Sequence, residues 1–138
     1  MAANTSPISP ILPHSGFAAT VQTTANTALD GTGTVIGFFT AGANGSRVNR
    51  VRVCHRGTNI QTVLRIFLNN GSTNGTAGNN SLLAEATMAA NTLSQTAASV
   101  FQDIYINAIM GPAYVLNYTV GTTVATGFAV SCPDGGDY

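Results

Sequence analysis

Short runs of β-branched and aromatic residues alternate with clusters of turn-forming residues along most of the chain. Within each run, apolar residues tend to recur at every second position, the spacing of a strand with one buried face. Turn signals separate the runs, such as Asn44-Gly45, a dipeptide typical of β-hairpins. The pattern predicts strands over residues 17–25, 34–40, 47–56, 63–69, 82–88, 98–108, 113–120 and 124–132. We therefore expect an all-β fold, a single-domain jelly roll or related antiparallel β-sandwich that spans residues 17–138.

The alternation over residues 47–56 assigns the side chains of that strand to two faces. The expected inward face holds Asn49, Val51, Val53 and His55. The expected outward face holds Val48, Arg50, Arg52, Cys54 and Arg56.

Residues 81–98 fit two interpretations. Leu82, Leu83, Ala86, Ala90 and Leu93 follow a helical spacing, and the alanines favour helix. Because the rest of the chain reads as strands, we predict a strand over residues 82–88 and keep a helical turn as the alternative.

Residues 98–108 carry apolar side chains on both faces of the predicted strand. One face includes Ile104 and Ile106, and the other includes Phe101 and Tyr105. This pattern is typical of a strand that is covered on two sides or that lies at a subunit contact.

The first sixteen residues differ from the rest of the chain. Pro7, Pro10 and Pro13 follow one another at intervals of three, which favours an extended polyproline-like arm over residues 1–16. Such a segment is either a frayed terminus or a strap across a neighbouring subunit. The apolar residues Ile8, Ile11 and Leu12 favour the strap.

Charge is scarce in this sequence. Charged residues make up 7% of the chain and the formal net charge is zero, while hydrophobic residues make up 44%. The chain is too apolar to be disordered, and a freely dissolved monomer normally carries far more charge on its surface. We therefore expect much of the surface to be covered by other copies or by a partner.

The few basic residues are clustered. There is no lysine, and all five arginines fall between Arg47 and Arg65 on two predicted neighbouring strands. Arginine is enriched in protein interfaces, so we expect a protein-contact surface made of Arg47, Arg50, Arg52, Arg56, Ile8, Ile11 and Leu12. An incidental solvent-facing cluster is the alternative. No nucleic-acid partner is expected, because such a platform needs more charge and interleaved exposed aromatic residues, and we expect both to be missing here.

No arrangement of residues indicates catalysis or cofactor binding. His14 and His55 are the only histidines, and His55 is expected to be a core or boundary residue. The acids are scattered, and Asp134 and Asp137 alone make a weak case for a cation site. We expect a protein that is not an enzyme and has no cofactor and no metal.

Cys54 and Cys132 are expected to be unpaired thiols on different kinds of face. No apolar stretch approaches the ~18 residues of a membrane span, and no basic region followed by an apolar run indicates a secretory signal. We therefore expect no membrane contact.

Four segments together resemble the decoration (cement) proteins of tailed-bacteriophage capsids. They are FTAGANGSRVNRVRV at residues 39–53, VLRIFL at 63–68, GPAYVLNYTV at 111–120 and the terminal GGDY. The resemblance implies a jelly roll or related sandwich that trimerises on the outer capsid surface and bridges subunits of the major capsid protein. It also implies a virion protein assembled in the cytoplasm of the bacterial host. The proline-rich arm lies outside the resemblance, and the two cysteines depart from it.

A receptor-binding or glycan-binding module of a phage head or tail fibre is the alternative function. Loops rich in Asn and Thr on a β-sandwich also suit carbohydrate recognition. Aromatic residues available to stack on sugars are Tyr105, Tyr114, Tyr118 and Tyr138.

Overall fold

The part of the chain that the structure describes is an antiparallel β-sandwich of eight strands, as the hydrophobic pattern predicts. The computed structural model describes residues 9–138. The strands are β1 (Leu12–Phe17), β2 (Ile36–Thr40), β3 (Ser46–His55), β4 (Thr62–Asn69), β5 (Asn80–Met88), β6 (Phe101–Met110), β7 (Val115–Val120) and β8 (Phe128–Asp137). A 3-10 turn, Ala77–Asn79, precedes β5. Among the described residues, no helix is long and apolar enough to cross a membrane.

The strands form two four-stranded sheets that enclose the core. The first sheet has the order β1-β8-β3-β6 and the second β2-β7-β4-β5, with every pair antiparallel. Only β4 and β5 are both consecutive in sequence and paired, so the other connections cross between the sheets. The largest fully buried side chains are those of Tyr118, Phe67, Phe128, Leu64, Ile66, Met88, Met110 and Leu116.

The connection through Asn44-Gly45 is a tight turn but not a hairpin. The Gly45 amide donates to the Gly42 carbonyl at 3.0 Å, and Gly45 has a positive φ of 91°. The strands on either side, β2 and β3, belong to different sheets. The local turn signal is therefore confirmed, while the hairpin that it is typical of does not form.

The first strand lies earlier in the chain than the alternation predicts. Residues 18–25 do not form a strand, and β1 instead spans Leu12–Phe17, of which all but the last residue lie in the segment assigned to the arm. It pairs with β8 at the edge of the first sheet, from Leu12 opposite Asp137 to Phe17 opposite Ser131. An edge strand tolerates Pro13, which has no N–H to donate.

The following segment, residues 18–35, forms no strand and is held both by backbone bonds to β8 and β7, from the Ala18 and Asn26 amides, and by its own polar side chains. The Gln22 amide donates to Tyr118 Oη at 3.0 Å. The side-chain amides of Gln22 and Asn26 both donate to the Thr34 carbonyl, at 2.9 and 2.7 Å. Polar side chains therefore satisfy backbone groups that a strand would have paired with another strand.

An irregularity in β3 corrects the predicted faces of this strand. Val48 and Val51 are both fully buried although they are three positions apart. The register with β6 shifts between Val48 and Arg50, which places Asn49 and Arg50 together off the core face. The predicted faces are therefore wrong for Val48 and Asn49, and strict alternation resumes at Arg50.

The ambiguous segment is a strand, as predicted. β5 pairs with β4 along its length, and Ala86 and Met88 are buried against the core. Pairing with β4 overrides the weak helical preference of the alanines.

Candidate protein-interaction face

The outer face of the first sheet holds three of the arginines that the sequence predicts as a contact surface. Arg47, Arg50 and Arg52 all lie on β3, between β8 and β6. Arg56 follows the last residue of β3 and is exposed, with its amide bonded to the Gly127 carbonyl at 3.2 Å. It lies about 30 Å along the strand from Arg47.

Arg50 lies between two carboxylates from different strands. Its Nη1 donates to Asp103 Oδ2 of β6 at 3.0 Å, and its Nε donates to Asp134 Oδ2 of β8 at 3.1 Å. The Arg50 guanidinium therefore links three neighbouring strands on the outer face of the sheet.

Arg52 makes a bidentate contact with the carboxylate of the same Asp103. Its Nε and Nη2 donate to the two carboxylate oxygens at 2.8 and 2.7 Å, and its guanidinium lies 4.7 Å from the centre of the Phe101 ring. The hydrogen bonds from Arg52 lower the pKa of Asp103, and the same contact raises the pKa of Arg52. The charges of Arg50 and Arg52 are thus balanced within the chain by Asp103 and Asp134.

Arg47 is the exposed arginine of this face. Its Nε donates to Asn49 Oδ1 at 3.0 Å, and within residues 9–138 no carboxylate lies within ion-pair distance of its guanidinium. It borders an open cleft of about 500 Å³ that is also lined by Pro10, Ile11, Leu12, Pro13, Asn49 and Asp134. Ile11 and Leu12 are 66% and 59% exposed.

The structure therefore joins part of the predicted contact surface and separates the rest. Ile11, Leu12 and Arg47 meet at the cleft, which we call the arm cleft. Arg50 and Arg52 are engaged in ion pairs beside it, and Arg56 lies apart. Ile8, which the sequence places in the same surface, lies outside the described residues.

The predicted contact surface left out several exposed residues of this face. Phe101, Tyr105 and Ile109 of β6 are 57%, 69% and 71% exposed, and Phe17 of β1 is 74% exposed. The apolar alternation on both sides of residues 98–108 is the signal for Phe101 and Tyr105, whereas Ile109 and Phe17 lie outside that run. The expectation that exposed aromatic residues are missing beside the arginines is wrong, since Tyr105 is paired across the sheet with Arg50.

A second polar cluster, at one end of the first sheet, joins three strands. His14 Nδ1 donates to Asp137 Oδ1 at 2.8 Å, and the Ser46 hydroxyl donates to the same oxygen. The Ser46 proton is therefore held by a carboxylate and not by the imidazole, so the cluster does not activate Ser46 as a nucleophile. Its role in the structure is to hold β1, β3 and β8 together.

No model of a protein family and no curated protein matches the chain. Among residues 9–138, no three His, Cys, Asp or Glu side chains are placed to hold one metal ion.

Proposed function

We propose that the protein is a non-enzymatic structural protein of a bacteriophage virion. In this proposal it decorates the outer surface of the capsid as a trimer and stabilises the shell by bridging subunits of the major capsid protein. The proposal combines the motif resemblance with the low charge of the chain and with the exposed face of its first sheet. The strand orders β1-β8-β3-β6 and β2-β7-β4-β5, with six of the seven connections crossing between the sheets, support the jelly-roll interpretation.

The arm cleft is the observation that carries the proposal. It places two exposed apolar side chains, Ile11 and Leu12, beside an arginine with a free guanidinium edge. Protein interfaces typically combine exposed apolar side chains with an arginine that binds a carboxylate of the partner in bidentate fashion. Beside the cleft, the charge of Arg50 and Arg52 is balanced by Asp103 and Asp134, which leaves little positive potential for nucleic acid.

Multivalency then supplies the affinity. A trimer presents three copies of the cleft to a shell with repeated subunits, so contacts that are weak one at a time act together. We expect shell binding to be far tighter than the binding of one copy to one capsid subunit.

The test is to mix the purified protein with capsids that lack it, sediment the particles and count the copies retained. We expect saturation at a regular multiple of the local threefold positions. Arg47→Glu is expected to lower the affinity at least tenfold with an unchanged melting temperature. Arg56→Glu changes the net charge equally, away from the arm cleft, and serves as the matched control.

Two outcomes would overturn the proposal. Retention of no copies, or of copies at one vertex only, would exclude a decoration role. Equal losses for Arg47→Glu and Arg56→Glu would show that net charge, and not the arm cleft, determines binding.

Glycan binding by a head or tail-fibre module is the second candidate. It is favoured by Tyr105, which is 69% exposed and lies across from Arg50 on the outer face, where a ring can stack on a sugar. A handful of copies per particle together with glycan binding that Tyr105→Ala abolishes would support it.

A further inference from the structure

Asparagine is followed directly by glycine at three places in the chain, Asn44-Gly45, Asn70-Gly71 and Asn74-Gly75. This dipeptide is open to an uncatalysed reaction in which the glycine amide nitrogen attacks the carbonyl carbon of the asparagine side chain. Glycine permits the attack because it has no side chain to crowd its nitrogen. In a folded protein the rate depends on how firmly the glycine amide is held and on how much room the backbone has to turn.

The fold holds two of the three glycine amides firmly. The Gly45 amide donates at 3.0 Å to the carbonyl three positions earlier, and a methyl group on Gly45 would lie 2.5 Å from the Met110 carbonyl oxygen. The Gly71 amide donates to Asn69 Oδ1 at 2.8 Å, and a methyl group on Gly71 would lie 2.9 Å from the Ala113 carbonyl oxygen. Because both glycines are packed closely, neither backbone can turn towards the preceding asparagine without breaking these contacts.

Gly75 is held much less firmly. Its amide donates to Thr73 Oγ1 at 3.4 Å in a contact that is exposed to solvent. Among non-adjacent residues of the described chain, the only group within 4 Å of a methyl group on Gly75 would be that same hydroxyl, at 3.6 Å. The Asn74 side chain is held by the Gly33 carbonyl, which accepts from Nδ2 at 2.9 Å, also in an exposed contact. Since water replaces exposed hydrogen bonds when they open, the reactive arrangement costs little free energy to reach.

We infer that Asn74 is a site of spontaneous deamidation in the native protein. The Gly75 nitrogen forms a bond to Asn74 Cγ, and Asn74 Nδ2 leaves as ammonia with the proton that the Gly75 amide gives up. Water then opens the cyclic imide and leaves either aspartate or isoaspartate at position 74. The chain thereby gains one negative charge, starting from a formal net charge of zero.

Deamidation removes a bond that ties two neighbouring loops together. The turn through Gly31 and Gly33 packs on the buried ring of Phe67, since a methyl group on Gly31 would lie 3.1 Å from Phe67 Cδ1. Asn74 Nδ2 links this turn to the loop that precedes β5. A carboxylate at position 74 has no proton to donate to the Gly33 carbonyl and repels its oxygen, and isoaspartate also lengthens the backbone by one carbon. We therefore expect both loops to open more often after the reaction.

Peptide mapping of the full chain tests the inference. The protein is kept in warm, mildly alkaline buffer, and mass spectrometry follows the mass gain at each asparagine as the amide is replaced by a carboxyl group. We expect product at Asn74 to accumulate several-fold faster than product at Asn44 or Asn70. In urea the three sites should react at similar rates, because the unfolded chain exposes their glycine amides alike.

Two matched glycine variants test the chemistry of the step. Gly75→Ala adds a methyl group that the loop accommodates but that crowds the attacking nitrogen, so deamidation of Asn74 should slow by at least about fivefold. Gly78→Ala adds the same group to a glycine of the same loop whose surroundings are open, and it should leave the rate unchanged. Asn74→Asp reproduces one of the two products, and hydrogen exchange at residues 31–33 and 70–79 should be faster in this variant than in the wild type.

Deamidation of native Asn44 or Asn70 at a rate equal to that of Asn74 would overturn the inference, as would the absence of product at Asn74. Equal rates in Gly75→Ala and the wild type would show that ammonia is not displaced by the Gly75 nitrogen. Unchanged hydrogen exchange in Asn74→Asp would exclude the opening of the loops. These measurements involve no capsid, so their outcome is independent of the proposed function.

Discussion

The first and last strands of the sandwich are joined by a contact between His14 and Asp137, with 2.8 Å between His14 Nδ1 and Asp137 Oδ1. The two residues are 123 positions apart in sequence. The His14 ring also lies 4.4 Å from the ring of Phe39, which belongs to the other sheet. The Asp137 carboxylate therefore holds β1, the edge strand whose residues Leu12 and Pro13 line the arm cleft.

This contact makes stability depend on acid pH. Burial of the Asp137 carboxyl acts to raise its pKa, but the hydrogen bonds from Ser46 and His14 outweigh it and hold the pKa below its ordinary value of 3.8. A carboxyl with a lowered pKa stabilises the fold above its unfolded-state pKa, and the stabilisation is lost as pH falls through the folded-state pKa.

We therefore expect Asp137→Asn to lower the free energy of unfolding by about 1–3 kcal/mol at neutral pH. The difference from wild type should disappear once pH has fallen through the folded-state pKa, because the carboxyl is then protonated in both states. Urea unfolding of both proteins between neutral and acid pH measures this difference in unfolding free energy. Asp30→Asn is the control, because the Asp30 carboxylate bonds only to Thr32 within its own turn. A difference that persists unchanged in acid would contradict the assignment to the charge of Asp137.

His55 gives a second pH dependence in a separate range. Its side chain is buried beside Phe128, its Nε2 has no hydrogen-bond partner, and burial lowers its pKa below 6.5. The unfolded chain therefore binds a proton before the folded chain does, so stability is complete above about pH 6.5 and falls as pH drops towards the folded-state pKa.

We expect the free energy of unfolding to fall as pH drops below about 6.5, by up to about 1.4 kcal/mol per pH unit, and His55→Gln to flatten this slope. Denaturant titrations at several pH values measure it. An equal slope in His55→Gln would assign the proton uptake to another group.

Asn59 ties two turns together and is 3% exposed. Its Oδ1 accepts from the amides of Thr126 and Gly127 at 2.8 and 3.2 Å, and its Nδ2 donates to the Gly127 carbonyl at 2.8 Å. Asn59→Ala leaves the amides of Thr126 and Gly127 without their side-chain partner, so we expect a loss of about 2–4 kcal/mol in the free energy of unfolding. Asn70→Ala, in an exposed loop, should change it by less than about 0.5 kcal/mol. Equal effects of the two substitutions would show that the turns hold without Asn59.

The two cysteines should differ sharply in reactivity. Cys132 is fully buried, and burial raises the pKa of its thiol to about 12, whereas Cys54 is half-buried on the outer face. Because the thiolate is the nucleophile, iodoacetamide at about pH 8 should label Cys54 in the native protein and Cys132 only after unfolding. Mass spectrometry of tryptic peptides checks this, with Cys54→Ser as the variant that should stay unlabelled until urea is added. Labelling of native Cys132 would reveal an opening of β8.

The hydrophobic pattern was sufficient for the parts of the fold that depend on local chemistry. Alternating apolar positions predicted most of the strands and the sandwich, and the all-β context of the rest of the chain predicted the strand over residues 82–88, now β5. The faces of Cys54 and Cys132 followed from the same periodicity. The clustered arginines and the apolar arm residues indicated a contact surface, and Ile11, Leu12 and Arg47 do meet.

Tertiary structure decided what alternation cannot encode. The bulge in β3 shifts the pairing register by one residue. It therefore places Val48 in the core and Asn49 outside it, the reverse of the faces that strict alternation assigns to them. The first strand forms at residues 12–17 because its backbone pairs with β8 at the edge of the sheet. The local sequence contains no signal for this pairing.

The chemistry of the outer face also depended on tertiary structure. Asp103 and Asp134 lie 53 and 84 positions from Arg50 in the chain, and only the order of strands in the sheet brings them to it. The sequence by itself determined which residues are able to form strands and which are too polar for the core. The pairing of distant strands determined which charges are balanced and which apolar side chains stay exposed, because those contacts exist only once the sheets have formed.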